Sequence, residues 1–308
     1  LVNAQTKENE MVNVAVIAHV DKTLGGGLPE LRELLAQEGY DNPLWYEVET
    51  SSKAPKYARR ALAQGAEVIF VYGGDGTVQS CIDALANTDA VIAILPAGTA
   101  NLLAKNFDIP IDLPEAVRVG LHGTRRLLDT GTFNGEHFAL MAGTGFDAFV
   151  IRQASQKLKG RIGRLAYFYT GTKNLSARPV KAEVEVDDKP YFKGKISCIL
   201  VGNMGKSIGG IKVFNNAKPD DGILELAVVT AQNPIEWART LRRIVQGKAE
   251  KSPFVQVTRG KEFRVRLKKR FPYEVDGSAR AAVKKMEIKV DPSSITICVP
   301  ATSVQPNS

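Results

Sequence analysis

The sequence predicts an α/β domain built on a parallel sheet, followed by a second domain that is mostly antiparallel β. Three observations lead there. Val12–Ala18, Ala66–Tyr72 and Val91–Leu95 are short apolar runs of the kind found in buried strands, and each is followed by a turn and then a helical pattern. Near residue 130 the period changes to two, with polar and apolar residues alternating over short stretches. At 308 residues and 44% hydrophobic, the chain is long enough for two cores and too apolar for a disordered one.

The elements follow in order. Residues 1–11 are polar, lack the apolar core of a signal peptide, and are expected to fray. Val12–Ala18 is the first strand, and His19–Gly27 a loop ending in three glycines. Leu28–Glu38 is a helix, opened by Pro29 and stopped by Gly39. Trp45–Glu49 is a second strand, and Lys56–Gln64 a second helix. Ala66–Tyr72 is the third strand, with a helix through Leu85. Val91–Leu95 is the fourth, with a helix ending near Phe107 and another over Asp112–Gly120. The domain boundary falls near 130, giving domains of 1–130 and 131–290.

In the second part Asn134-Gly135 marks a hairpin turn, and Asp187-Asp188 a second one between Ala182–Asp187 and Lys189–Lys193. Further strands are expected at Ile196–Val201, Ile223–Val229, Glu262–Leu267, Pro272–Val275, Met286–Val290 and Ile295–Val299. Helices are expected near Phe149–Leu158, Gly163–Asn174 and Ile235–Val245.

The chemistry points to Gly73-Gly74-Asp75-Gly76-Thr77, between the third strand and its helix. Glycines let the backbone approach a phosphate, and the free N–H groups at a helix start aim at it. A carboxylate in such a turn repels phosphate unless a cation lies between, so Asp75 suggests Mg²⁺. An ordinary strand-to-helix turn with a capping Asp would look the same. The fourth strand ends in Pro96-Ala97-Gly98-Thr99-Ala100-Asn101, and parallel connection puts both turns on one sheet edge.

Together these two turns resemble the diacylglycerol kinase catalytic-domain family, which includes bacterial lipid kinases and sphingosine kinases, with NAD kinases as distant relatives. The resemblance implies a NAD kinase/lipid kinase-like fold with a cleft between the domains, and a last strand, within 291–302, that returns to the first domain. It implies nucleotide contacts from Gly73, Gly74, Asp75, Gly76, Thr77, Gly98, Thr99 and Asn101, with Ser52 matched by its spacing six residues before Ala58. Gly143-Thr144-Gly145-Phe146-Asp147-Ala148, Gly202-Asn203-Met204 and Gly209-Gly210 extend it. In Ala217–Leu224 it implies a structural Mg²⁺ on the Asp221 carboxylate and the carbonyls of Lys218 and Ile223. The family's Asn-Pro after the first strand is absent here, and Leu102 replaces an Asp.

The resemblance also exposes a departure. Bacterial relatives take their general base from Asp-Gly-Glu, and here the stretch is Asp276-Gly277-Ser278. Serine is no base near neutral pH. The catalytic candidates are therefore Asp276 and Asp75. Three explanations stay open: Asp276 serves as base, transfer proceeds by positioning and charge alone, or the chain binds nucleotide and lipid without turnover.

The resemblance thus implies an ATP- and Mg²⁺-dependent kinase acting on diacylglycerol or a related lipid, with a soluble NAD kinase or a sensor as alternatives. The net charge of +8 falls largely in Lys157–Arg164, Lys181–Lys195, Arg239–Lys251 and Arg259–Arg270. That suits solvated faces or a surface docking on anionic phospholipid, and no pattern supports nucleic acid. Aromatic residues within Leu158–Leu175 are expected in the core or against acyl chains. Three scattered cysteines suggest buried thiols in a reducing cytosol, and three histidines share no zinc-like spacing. The expected location is cytoplasmic, peripherally at the membrane.

Overall fold

The computed structural model describes residues 12–145, 179–207, 211–212 and 214–301. Its first half is a parallel sheet of β1 (Val14–His19), β2 (Leu44–Val48), β3 (Val68–Gly73) and β4 (Val91–Pro96), in the order β2-β1-β3-β4. Every residue of β1, β3 and β4 is buried. Ile17, Ile69, Val71 and Ile92 point to a core shared with α2 (Ala54–Ala63) and α3 (Asp75–Leu85). Val16, Phe70, Tyr72 and Leu95 point to the opposite core, shared with α1 (Gly27–Gln37) and α5 (Leu113–His122). A sheet covered on both faces requires unbroken apolar strands, which is what the sequence shows. The chain runs from β1 outward to β2, then crosses back to β3. Ligands of open α/β sheets bind at that reversal, beyond the carboxyl ends of the strands.

The second half is mostly antiparallel. It comprises β5 (Thr124–Phe133), β6 (Glu136–Phe138), β7 (Met141–Thr144), β8 (Val180–Val186), β9 (Lys189–Ile196) and β10 (Cys198–Gly202), then two short strands, β11 (Lys206–Ser207) and β12 (Ile211–Lys212). After these come β13 (Leu224–Val229), β14 (Val255–Gly260), β15 (Glu262–Val275) and β16 (Ser278–Val299). Phe133, Phe138, Val184, Leu226, Phe263 and Ile288 belong to its core. α6, the helix Pro234–Val245, buries Trp237 against Cys198, Leu200 and Val229. The first half adds a short α4 (Leu102–Asn106).

Several boundaries differ from the sequence expectation. Glu262–Leu267 and Pro272–Val275 form one strand, interrupted by a register shift between Arg266 and Phe271. Met286–Val290 and Ile295–Val299 are likewise one strand of 22 residues, shifted in register between Asp291 and Ile295. Ser293 adopts φ +53° within that bulge, which hides the continuity from alternation. β7 and β14 were not anticipated. The helices expected near 149–158 and 163–174 lie outside the described residues.

β16 joins the two halves. Ile288–Val299 pairs antiparallel with β5, while Thr296 and Ile297 pair parallel with Val91 and Ile92 of β4. Both halves are thereby one 14-stranded sheet. Three hairpins close with both central residues at positive φ, the type I′ geometry: Asn134-Gly135, Asp187-Asp188 and Asp276-Gly277.

A charged cluster also ties the halves together. His137 Nδ1 lies 3.2 Å from Asp83 of α3, and Nε2 lies 3.0 Å from Asp291 of β16. The Asp83 hydrogen bond, reinforced by Asp291, raises the His137 pKa above its usual 6.5 despite burial. Burial works against ionisation of Asp83, yet its bonds to His137 leave that carboxyl below its usual value. Only a protonated imidazole can donate to both carboxylates. A raised histidine pKa adds stability that is fully present below the unfolded value and is lost as pH rises through the folded one. We expect the melting-temperature advantage of wild type over His137→Gln to be largest just below pH 6.5 and to shrink on raising the pH. An advantage constant across that range would refute the charged-pair account.

Candidate active site

The two glycine turns meet at the carboxyl edge of β3 and β4. A Cβ placed on Gly98 would lie 2.5 Å from Gly74 Cα, so the two backbones touch and Gly98 has no room for a side chain, while a Cβ on Gly74 would sit tightly at 3.3 Å from Gly98 Cα. Asp75 locks them together. Its Oδ2 accepts the Asn101 N–H at 3.0 Å and its Oδ1 accepts the Leu102 N–H at 2.5 Å. Asn101 holds φ +47°, a left-handed conformation that asparagine tolerates well. Its Nδ2 donates to the carbonyls of Pro96 and Gly98, and its Oδ1 accepts the Gly98 N–H. The Asn101 side chain is thus engaged within its own loop, while Thr99 is exposed.

Thr77 is buried, and its Oγ1 lies 3.0 Å from Ser51 Oγ. Ser51 and Ser52 belong to a 3₁₀ turn, Ser51–Lys53, that precedes α2. Ser52, the residue matched by spacing, is exposed and bonds Thr50 Oγ1 at 3.0 Å. Ser51 is the hydroxyl that reaches the glycine turn, and no spacing rule pointed to it. A Cβ on Gly76 would lie 3.5 Å from Ser51 Oγ and 3.8 Å from Ser278 Oγ. The open side of Gly76 therefore faces a hydroxyl from each half of the molecule.

Two further side chains border this edge. Tyr72, fully buried on β3 beside Gly73, accepts the Leu24 N–H at 2.6 Å and donates to the Leu24 carbonyl at 3.3 Å. That hydroxyl fixes the glycine-rich loop between β1 and α1. His19 ends β1 almost fully buried, and its Nδ1 has no partner among the described residues.

Across from the turns lies the β15–β16 hairpin. Asp276 is 7% exposed. Its Oδ2 accepts Ala139 N–H at 2.8 Å, and its Oδ1 accepts those of Leu140 and Met141 at 2.9 and 2.8 Å. A carboxylate offers about four acceptor positions, so one remains, on Oδ2. Burial pushes the Asp276 pKa up to about 6, against those three donors and with a smaller push from the Asp75 charge. Asn203 grips the same segment from the other side: its N–H donates to Leu140 O, and its Nδ2 to Ala139 O and Asp129 O.

The 218–223 turn, where the resemblance implies a structural Mg²⁺, is held by bonds to side chains and backbone. Asp221 Oδ1 accepts the Ile223 N–H at 3.1 Å, and Oδ2 pairs with Arg259, which also approaches Glu225 at 3.5 Å. Asp129 accepts Gly222 N–H at 2.7 Å and donates its own N–H to Pro219 O. Among the described residues no three acidic, histidine or cysteine side chains converge for a metal. Asp221, Lys218 and Ile223 share the turn, and the Arg259 guanidinium lies against the Asp221 carboxylate. Of the other extended motifs, Phe146–Ala148 and Gly209-Gly210 lie outside the described residues.

Residues 22–133 match the family model of the diacylglycerol kinase catalytic domain, and residues 141–299 that of the YegS C-terminal NAD kinase beta sandwich-like domain. The chain belongs to the diacylglycerol kinase/YegS lipid kinase family. It is an enzyme of that family. A diacylglycerol kinase of Bacillus subtilis is 28% identical over 255 residues, covering 81% of this chain and 83% of that one. A Pseudomonas aeruginosa protein named "Probable lipid kinase YegS-like" is 32% identical over 255 residues, covering 81% and 82%. Among solved structures, a diacylglycerol kinase from Bacillus anthracis superposes with a TM-score of 0.71 at 19% identity, covering 96% and 100%. An NAD kinase from Archaeoglobus fulgidus in complex with ATP gives 0.52 at 12%, covering 94% of each chain. The structural likenesses establish the shared fold.

The geometry makes two substitutions informative. Gly98→Ala forces the turns apart, and we expect it to weaken nucleotide binding at least ten-fold, read by calorimetric titration with a non-hydrolysable ATP analogue. Tyr72→Phe keeps the buried ring and removes the hydroxyl, a loss of about 1 kcal/mol per hydrogen bond. We expect it to raise the nucleotide KM several-fold with kcat little changed. An unchanged KM would remove Tyr72 as the residue that positions the loop.

Proposed function

We propose that this chain is an ATP- and Mg²⁺-dependent lipid kinase that phosphorylates a hydroxyl of diacylglycerol or a related lipid at a membrane surface. The observation that carries the proposal is the pair of glycine turns, locked by Asp75 and facing the Asp276–Ser278 hairpin across the cleft. The N–H groups that open α3, with Gly73–Thr77 and Gly98–Thr99, would cradle the triphosphate. Asp75 keeps acceptor positions beyond its two backbone bonds, so its carboxylate fits a cation held between it and the phosphates. Asp75 would hold Mg²⁺, whose charge would offset that of the transferring group. Ser51 and Ser278 would flank that group, and a lipid hydroxyl would enter from the side of the second domain.

Asp276 is our candidate base. A carboxyl with a pKa of about 6 is ionised at neutral pH and close to the range where general bases work best. Its remaining acceptor position would take the hydroxyl proton. The near-complete burial of Asp276 also favours a second role, holding Ala139–Met141 in place, and the experiment must separate the two. Cytoplasmic location with peripheral attachment to anionic phospholipid follows from a soluble nucleotide and a membrane-borne acceptor.

The test is phosphate transfer from labelled ATP, with Mg²⁺, to diacylglycerol, ceramide or sphingosine in mixed micelles, with NAD as a soluble comparison. Wild type runs beside Asp75→Ala and Asp276→Asn. We expect a labelled lipid, at least a hundred-fold less of it in both variants, and a wild-type kcat that rises through about pH 6. Product persisting in a folded Asp276→Asn would remove Asp276 as base. Transfer to NAD alone would replace the lipid acceptor. ATP binding without transfer to any acceptor would overturn the kinase reading in favour of a sensor.

A further inference from the structure

The outer face of the β9-β8-β15-β16 sheet carries several ion pairs. Lys193 pairs with Glu183 at 2.7 Å and Arg266 with Glu185 at 3.2 Å. Arg264 binds Asp188 and Glu262, and Lys289 approaches Glu262 at 3.6 Å. At one end the pattern fails. Lys181 and Lys195 are directly opposed in the β8–β9 ladder, and both are exposed. Like charges so placed destabilise a sheet. One step beyond the Leu267–Ala182 pair, β15 presents Lys268, Lys269 and Arg270 in the register shift between Arg266 and Phe271. All three are exposed, as is Lys284 on β16. None of these six cations forms an ion pair among the described residues. The carboxylate whose charge reaches Lys268 is Glu183, which Lys193 already holds.

We propose that this corner is the surface that docks the protein on an anionic phospholipid bilayer. The proposal rests on the lipid-kinase reading for its choice of partner. Charge complementarity supports it: a bulge that pushes three successive cations outward, beside an uncompensated lysine pair, fits a flat field of phosphates. The rings closest in sequence, Phe192 and Phe271, pack against the second core. Among the described residues the corner therefore shows no exposed aromatic platform of the kind single-stranded nucleic acid uses. Arg270 is six residues from Asp276 along β15, no more than about 20 Å of strand, so a protein docked here keeps its cleft close to the lipid.

The test is sedimentation of the full chain with vesicles of phosphatidylcholine alone or mixed with phosphatidylglycerol, with a short single-stranded oligonucleotide as competitor. The key variant carries Lys181→Gln, Lys195→Gln, Lys268→Gln and Lys269→Gln together, and Lys193→Gln serves as the control. Each unpaired cation contributes about a five-fold gain in partition onto anionic lipid. We expect the fourfold variant to lose at least a hundred-fold, the control at most five-fold, and neither to bind neutral vesicles. The variant should melt no lower than wild type, since a repulsive pair is removed. Wild-type binding retained by the variant would overturn the proposal, as would oligonucleotide displacing the protein from the vesicles. The readout needs no turnover, so failed docking and a failed kinase assay are separate results. Activity on neutral micelles should match wild type in the variant.

Discussion

One strand sets the relation between the two halves. β16 leaves the Asp276-Gly277 turn, borders β15 and β5 in the second half, and ends against β4 in the first. A strand fixed at both ends by ladders leaves the two halves little freedom to move apart. The hairpin that carries Asp276 and Ser278 is therefore delivered to the glycine turns by backbone hydrogen bonds, before any side chain contributes. The Asp83–His137–Asp291 cluster and the Gln79 bonds to Glu136 and His137 reinforce the same junction from α3.

Within that frame the site is assembled mainly by carboxylates that bind the chain's own N–H groups. Asp75 closes the two turns onto each other, Asp276 gathers Ala139–Met141, and Asp129 links the 219–222 turn to the β16 bulge through Gly222 and Ser293. An ionised oxygen accepting N–H bonds is among the stronger neutral-to-charged contacts available. Under the proposed function Asp75 and Asp276 would serve both the fold and the chemistry, so a substitution at either would change the two together.

Much of this was legible in the sequence, for identifiable reasons. Strands buried on both faces must be apolar throughout, so β1, β3 and β4 stood out, and glycine turns marked the carboxyl ends of β3 and β4. The resemblance to a lipid kinase family rested on those turns, and the family models and relatives support it. The long strands were not legible, because bulges at 266–271 and 291–295 break the alternation on which strand reading depends. Met141–Thr144 was missed because it is short and contains a glycine. Ser51 was missed because a 3₁₀ turn aims it, and not its neighbour Ser52, at Thr77. The pairing of Arg259 on β14 with Asp221 in the turn before β13 is a long-range contact that no local pattern announces. Tyr72 looked like core, and it is, but its hydroxyl reaches a loop 48 residues earlier.

The parallel sheet of the first half borrows its outer neighbour from the far end of the chain. While the protein is being synthesised, the β1–β4 segment emerges long before Thr296 and Ile297, and until they arrive β4 shows bare N–H and C=O groups on that side. An uncovered strand edge of this kind invites pairing with other chains. The first half therefore keeps an open sheet edge on the ribosome until Thr296 and Ile297 have emerged, and a chain released before them would expose that edge. The arrangement makes synthesis of β16 a condition for covering β4, and ties the edge that carries the glycine turns to a strand made long after it.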